Sequence, residues 1–257
     1  MRSLKSVLFI ILIVLSFYFT DRIIIYMENR HPIMQQIDAR IPNLRVASVD
    51  AVINENTIIP GIDGKNVNRR QSYMRMGEFG AFNETFIVFD AVRPEISLQD
   101  NKNKVIVRGN SIRRQVSIII EPSDELKSFF TSKEIPFTVI ARVDTELEND
   151  LEYIPGERHQ DRIRDLHHIL NRRRVNSNIC LVGFSNIEFC KERQYYLVAP
   201  SVDSNSNITQ LVTSIRSGEI ILIRENITMA NLNLILSEIR RQDLSIVSLV
   251  TLISENR

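Results

Sequence analysis

The side chains in this 257-residue sequence that could do chemistry are few. Of its histidines, His159, His167 and His168 lie near one another, but no two stand four apart, the spacing that would put a pair on one helical face. His167 and His168 are neighbours and would point about 100° apart on a helix. They read either as solvated helix residues or as metal ligands, and the spacing favours the first. Cys180 and Cys190 are the only cysteines. They are either two small buried apolar side chains or a disulfide, which an oxidising exterior would permit and which would add roughly 2–3 kcal/mol over so short a loop. Neither sits in a recognisable nucleophile context. The chain has few glycines and no Gly-rich phosphate loop.

Those residues belong to a stretch of alternating strand-like and helix-like segments that begins at Val105, the pattern of an α/β domain. Val105-Ile106-Val107, Val116–Ile120, Phe137–Val143, Ile179–Val182, Tyr195–Ala199, Glu219–Ile223 and Leu244–Leu249 read as strands. Between them, Asp124 can cap a helix carrying Leu126, Phe129 and Phe130 on one face. Glu157–Arg173 fits a helix with Ile163, Leu166 and Leu170 inward, and Arg172-Arg173-Arg174 complements its C-terminal dipole. Asn186–Arg193, Ile208–Ile215 and a helix capped by Thr228 complete the series, with Gly218 suited to a left-handed C-cap.

The amino terminus has a different character. Arg2 and Lys5 precede an uncharged run from Val7 to Phe19, VLFIILIVLSFYF. As a helix that run spans only about 20 Å; Thr20 and snorkelling flanks bring it near the requirement of a thin bilayer. The expectation is one uncleaved transmembrane helix in residues 1–26, since no small-x-small site follows, with a cleaved signal peptide as the alternative; either reading places the body outside the cell. Residues 27–45, with Pro32 and Pro42, read as a stalk. Residues 46–104 read as a small mixed module with a helix at Asn68–Met76 and a strand at Phe86–Phe89. Lys and Arg (32) nearly balance Asp and Glu (31), so the body lacks the footprint of a nucleic-acid binder. No residue pattern implies a cofactor.

Residues 217–255, SGEIILIRENITMANLNLILSEIRRQDLSIVSLVTLISE, resemble the closing segment of the polysaccharide deacetylase family: a Gly, a strand ending in Leu-x-His, a helix and a last strand. Residues 180–204, CLVGFSNIEFCKERQYYLVAPSVDS, are similar to that family's middle, with Gly183 and Asn186 at the expected spacing and Ser201-Val202-Asp203-Ser204 matching a strand end. The segment VSIIIEPSD takes the place of its first strand and Asp-Asp-Gly tip. The resemblance covers residues 105–257 and implies an incomplete deacetylase-like (β/α) barrel.

The same resemblance implies that the family's chemistry is lost. That reaction uses a divalent metal held by one Asp and two His, with a second Asp as base. Glu121 falls on the base, Pro122 on the metal-binding Asp, and Arg224 on the catalytic His. The family's middle-motif Arg and Trp fall on Ile179 and Pro200, and the histidine pair is absent. Asp203 survives without its usual arginine partner. The expected protein is therefore a catalytically degenerate, membrane-anchored envelope protein that binds no metal. Glu121, Asp203, Arg224 and Glu225 gather at the strand C-termini, the functional face of such barrels, as binding candidates for a cell-wall glycan or an envelope protein. The alternatives are an active carbohydrate de-N-acetylase with a rearranged site, and a structural anchor whose 46–104 module does the binding.

Overall fold

The computed structural model describes residues 2–148, 150–173 and 178–256, and the side chains of residues 2–10 and 21 lie outside that description. In chain order, α1 (Arg2–Arg30) and α2 (Pro32–Leu44) precede β1 (Val52–Asn54), β2 (Thr57–Ile59), β3 (Gly64–Val67), α3 (Arg69–Gly77) and β4 (Phe89–Val92). Then come β5 (Val105–Ile106), β6 (Gln115–Ile120), α4 (Asp124–Ser132), β7 (Thr138–Ala141), β8 (Glu152–Pro155) and α5 (Gln160–Arg172). The chain closes with β9 (Ile179–Leu181), α6 (Ile187–Glu192), β10 (Tyr196–Val198), β11 (Val202–Asp203), α7 (Ile208–Ser214), β12 (Ile220–Ile223), α8 (Met229–Arg241), β13 (Ser245–Val247) and α9 (Leu249–Ile253).

Two compact units result, residues 1–48 with 64–92, and residues 49–63 with 93–257. In the smaller unit α2 starts at His31, whose ring accepts from the Ile33 amide at 3.3 Å. Ile33, Met34 and Ile37 of α2 form a core with Met76 and Ile87. Arg69 closes a two-point hydrogen bond on Asp38 at 2.6 and 2.7 Å. β3 and β4 pair antiparallel. The expected stalk at 27–45 is thus largely a packed helix, because its apolar residues fall at helical spacing and Pro32 occupies a first-turn position that tolerates proline. The apolar run Val7–Phe19 lies within α1; among the described residues no helix is long and apolar enough to cross a membrane.

The larger unit holds the candidate chemistry. One sheet runs β11-β12-β6-β7-β8, with β13 also pairing β6, and all its pairings are parallel. The other runs β1-β2-β5-β10-β9, antiparallel only in the β1–β2 hairpin. Because side chains alternate across a strand, a parallel strand with apolar residues at every position is buried on both faces. Ile119, Ile220 and Leu222 join Ile58, Ile106, Ile140, Ile154 and Val198 in one cluster. Ile118, Ile120, Ile221 and Ile223 point the other way, onto Leu126 and Phe130 of α4, Leu166 of α5 and Leu232 and Ile235 of α8. The result is a mixed α/β fold whose strands lie in two sheets rather than one continuous series.

Several boundaries differ from the sequence reading. The expected module at 46–104 is not one unit: residues 49–63 and 93–104 belong to the larger body, because Thr57 and Ile58 of β2 pair with Val105 and Ile106. Phe86 ends a short 3-10 turn, and the strand begins at Phe89. Ser123, not Asp124, caps α4 with its side-chain oxygen on the Leu126 amide. The strand expected at Leu244–Leu249 stops at Val247, since Ser248 caps α9, whose Leu249 and Leu252 join the cluster of Ile106, Ile119 and Ile140. Gly218 has φ +91° as expected of a left-handed residue, yet α7 ends four residues earlier at Ser214. The glycine serves a turn in which the Gly109 amide donates to its carbonyl at 2.7 Å, and a Cβ there would collide with the Gly109 carbonyl oxygen. Arg174 of the basic cluster lies outside the described residues.

Candidate functional site

Five of the six strands of the all-parallel sheet deliver a charged residue at or just past the carboxyl end. Glu121 follows β6, Arg142 follows β7, and Glu157, Arg158 and His159 come just after β8. Asp203 closes β11 and Arg224 follows β12. Phe184 comes from the loop after β9. Glu121, Arg142, Gly156, Glu157, Arg158, His159, Phe184 and Arg224 line a shallow hollow of ≈ 360 Å³.

Arg224 is its centre. The guanidinium donates to both oxygens of Asp203, through Nε at 3.1 Å and Nη2 at 2.7 Å, and through Nη1 to Glu121 at 3.1 Å. Its carbon sits 4.8 Å from the centre of the Phe184 ring. The second Glu121 oxygen accepts the Glu225 amide at 3.2 Å, and Asp203 also accepts the Asn205 amide at 3.0 Å. Burial by itself would raise the Asp203 carboxyl, but the Arg224 and Asn205 hydrogen bonds and the Arg224 charge outweigh it and hold the group below the usual carboxylate range. Those same bonds, above all the one to Asp203, raise Arg224 further.

Sequence reasoning brought Glu121, Asp203, Arg224 and Glu225 to one face, and the structure brings the first three into contact. Glu225 contributes its backbone amide; its side chain is exposed. Ile179 stands where the resemblance would put the arginine partner of Asp203, and Arg224 from a neighbouring strand pairs with Asp203 instead, because β11 and β12 pair with Asp203 opposite Leu222. Pro122 has no side-chain donor and borders a separate hollow with Asp124, Lys127 and Arg142. Of the histidines, His159 precedes α5 at the rim and makes no side-chain cap bond. His167 lies farther along α5, hydrogen-bonded to Asn171 at 2.8 Å and to the Tyr195 hydroxyl at 3.1 Å. Burial, followed by the Arg193 and His168 charges, lowers its pKa.

The residues do not fit the divalent metal that the deacetylase resemblance implies. Both carboxylates at the centre are committed to a guanidinium, whose fixed charge opposes a cation. Among the described residues no three His, Cys, Asp or Glu side chains are grouped to hold an ion.

The site residues that sequence reasoning missed are Arg142, Glu157, Arg158 and Phe184. Glu157 is buried, accepts the Val143 amide at 3.2 Å and pairs with Arg162 at 3.0 Å. The Phe184 loop is pinned from three sides. Arg158 donates to the Gly183 carbonyl, with Nε at 2.8 Å; Asn186 caps α6 and donates to the Arg158 carbonyl at 2.8 Å; and the buried Ser185 hydroxyl donates to the Pro155 carbonyl. Gly183, at φ +87°, turns the chain there.

Cys180 and Cys190 form a disulfide that ties β9 to α6 behind this loop, and both are fully buried. Replacing both by alanine is expected to cost about 2–3 kcal/mol, the loop-entropy value for a short closed loop. A lowered urea midpoint, reproduced in the unsubstituted protein by thiol reductant, checks this. An unchanged midpoint would show that the bridge contributes nothing.

No family model matches the sequence. The uncharacterized protein YlxY of Bacillus subtilis (strain 168) is 29% identical over 93 residues, 36% of this chain and 29% of that protein, so the chain matches less than a third of that relative's length. Among solved structures, BA3943 from Bacillus anthracis, a CE4 family pseudoenzyme, aligns with a TM-score of 0.59 at 15% identity, covering 89% of this chain and 97% of its own. A BA3943 mutant with restored enzymatic activity aligns with a TM-score of 0.59 and 15% identity over 87% of this chain and 98% of its own. At that identity the likeness establishes the fold, which is CE4-like.

Proposed function

We propose that this deacetylase-like chain binds glycan at its strand C-terminal face without hydrolysing it, as a membrane-anchored protein of the cell envelope. One observation carries the reading. The Arg224 guanidinium fills the space between Glu121 and Asp203, the position at which a metal-dependent hydrolase needs free ligands. What remains is a shallow hollow with a half-buried aromatic ring and hydrogen-bonding charges around it, a surface suited to holding a polyhydroxylated ring.

The direct test incubates full-length protein with zinc and chitohexaose, and measures bound metal, released acetate and retained glycan. Expected are glycan binding, no stoichiometric zinc and no acetate. Acetate release abolished by a chelator would instead make the chain a de-N-acetylase with a rearranged site.

The anchor is part of the same proposal and rests on α1. Ile11, Leu12, Val14, Leu15, Phe17 and Phe19 are all exposed along that helix, an arrangement costly in water. The protein is expected to stay with membranes through high-salt and carbonate washes, with protease reaching its body only from outside. Recovery of soluble mature protein beginning shortly after Thr20 would overturn the anchor.

A further inference from the structure

The charges around the hollow are not evenly spent. Both carboxylates that line it are engaged, Glu121 by Arg224 and the Glu225 amide, and Glu157 by Arg162 and the Val143 amide. Arg224 is engaged in turn by Glu121 and Asp203. Two lining cations are left over. The exposed Arg142 side chain makes no hydrogen bond or ion pair among the described residues. Among the described residues the exposed Arg158 side chain meets only the Gly183 carbonyl, through Nε and Nη2, which leaves its Nη1 group without a partner there. Asp144 and Glu146 stand beyond Arg142 in the adjoining hollow, and no ion pair joins either of them to it. A guanidinium with unused donors presents a planar fork that matches carboxylate and phosphate oxygens. The start of α5 at the same rim, which has no side-chain cap, adds positive potential.

From this surplus we infer that the glycan bound here is anionic: its sugar ring rests at Phe184, and a carboxylate or phosphate on it is held between Arg142 and Arg158. The inference rests on the glycan-binding reading above and adds the charge of the ligand. Among the described residues, the hollow beside Tyr195 has Lys102 and Lys191 but no guanidinium fork. The hollow beside Glu255 contains that carboxylate already bonded to the Gly61 and Leu98 amides and is lined by Asp63 as well.

Isothermal titration of the full-length chain in detergent, at low and at physiological salt, tests it with four probes. These are a hyaluronan hexasaccharide, which carries glucuronate carboxylates, chitohexaose, which has the same N-acetylglucosamine without charge, N-acetylglucosamine 1-phosphate, and N-acetylglucosamine alone. A charged probe is expected to bind at least about tenfold more tightly than its neutral counterpart, and Arg142→Ala with Arg158→Ala is expected to remove that advantage. Which charged probe gains tells carboxylate from phosphate. Salt should weaken the charged probe only. Arg142→Lys, which keeps the charge but loses the fork, should recover part of the gain, and Arg240→Ala on α8 should leave all affinities unchanged. Thermal melting of every variant confirms folding. Equal affinity for charged and neutral probes, no binding of either charged probe, or arginine variants without effect would overturn the inference. If chitohexaose binds in a manner lost in Phe184→Ala but untouched by the arginine variants, glycan binding stands and the anionic assignment alone fails. Acetate release from any probe would sink the non-catalytic reading itself.

Discussion

Arg224→Met is expected to destabilise the larger unit by about 2–3 kcal/mol, although it replaces a charged side chain with an apolar one of similar length. The magnitude lies between two limits. Breaking a fully buried ion pair by removing one partner costs roughly 3–5 kcal/mol, and an exposed pair is worth about 0–1 kcal/mol. The three side chains are 25% (Arg224), 12% (Glu121) and 34% (Asp203) exposed, so the cluster stands between the two cases. The cost arises from two carboxylates left facing each other without a cation. Adding Glu121→Gln and Asp203→Asn to Arg224→Met should therefore restore most of the loss. If the triple variant is no more stable than the single one, the cluster is not what Arg224 supports.

Acid titration gives an independent readout of the same bonds. The folded pKa of Asp203 is depressed below its ordinary value of 3.8, so its contribution is fully present above that value and is lost as pH falls through the folded pKa. In Arg224→Met the depression should vanish, and that part of the acid limb of the stability curve should flatten.

Much of the larger unit is legible in the sequence because its signals are local. Ile118-Ile119-Ile120 and Ile220-Ile221-Leu222 are short runs apolar at every position, and such runs are buried on both faces of parallel strands. Asn186 and Thr228 are read as helix starts because their side chains accept amides three residues on. What escapes is set by partners distant in sequence. β8 carries Glu152 and Pro155 and follows a polar stretch, so nothing local marks it; Tyr153 and Ile154 become core only by pairing with β7. The assignment of residues 49–63 to the larger unit depends on β2 finding β5 across more than forty intervening residues, and turn signals cannot report that.

The site divides in the same way. Glu121, Asp203 and Arg224 could be placed on one face by following strand ends, but the pairing of Asp203 with Arg224 requires knowing that β11 lies beside β12. Arg142 and Arg158 carry no sequence signal, since an exposed arginine after a strand is commonplace. They stand out only once both carboxylates that line the hollow, Glu121 and Glu157, are seen to be engaged by Arg224 and Arg162.

Arg224→His is expected to leave acetate release at the uncatalysed level, some 10⁶-fold or more below what a competent hydrolase achieves, even with added zinc. The substitution restores the residue type that the deacetylase resemblance calls for at this strand tip, and it removes the fixed positive charge. It does not supply a metal. Zinc needs three protein ligands at about 2.0–2.3 Å plus an open position for water. Here Pro122 offers no ligand atom, and Glu121 and Asp203 are set apart by the width of a guanidinium whose nitrogens lie 2.7–3.1 Å from their oxygens. To share an ion at ligand distance they would have to close that gap. The Glu225 amide restrains Glu121 and the Asn205 amide restrains Asp203. An imidazole without a bound metal beside it could move a proton but would have no activated water to move it from. The measurement pairs zinc content per chain with acetate release from chitohexaose, with and without chelator. Near one zinc per chain together with chelator-sensitive acetate in Arg224→His would show that this single arginine is all that separates the fold from catalysis.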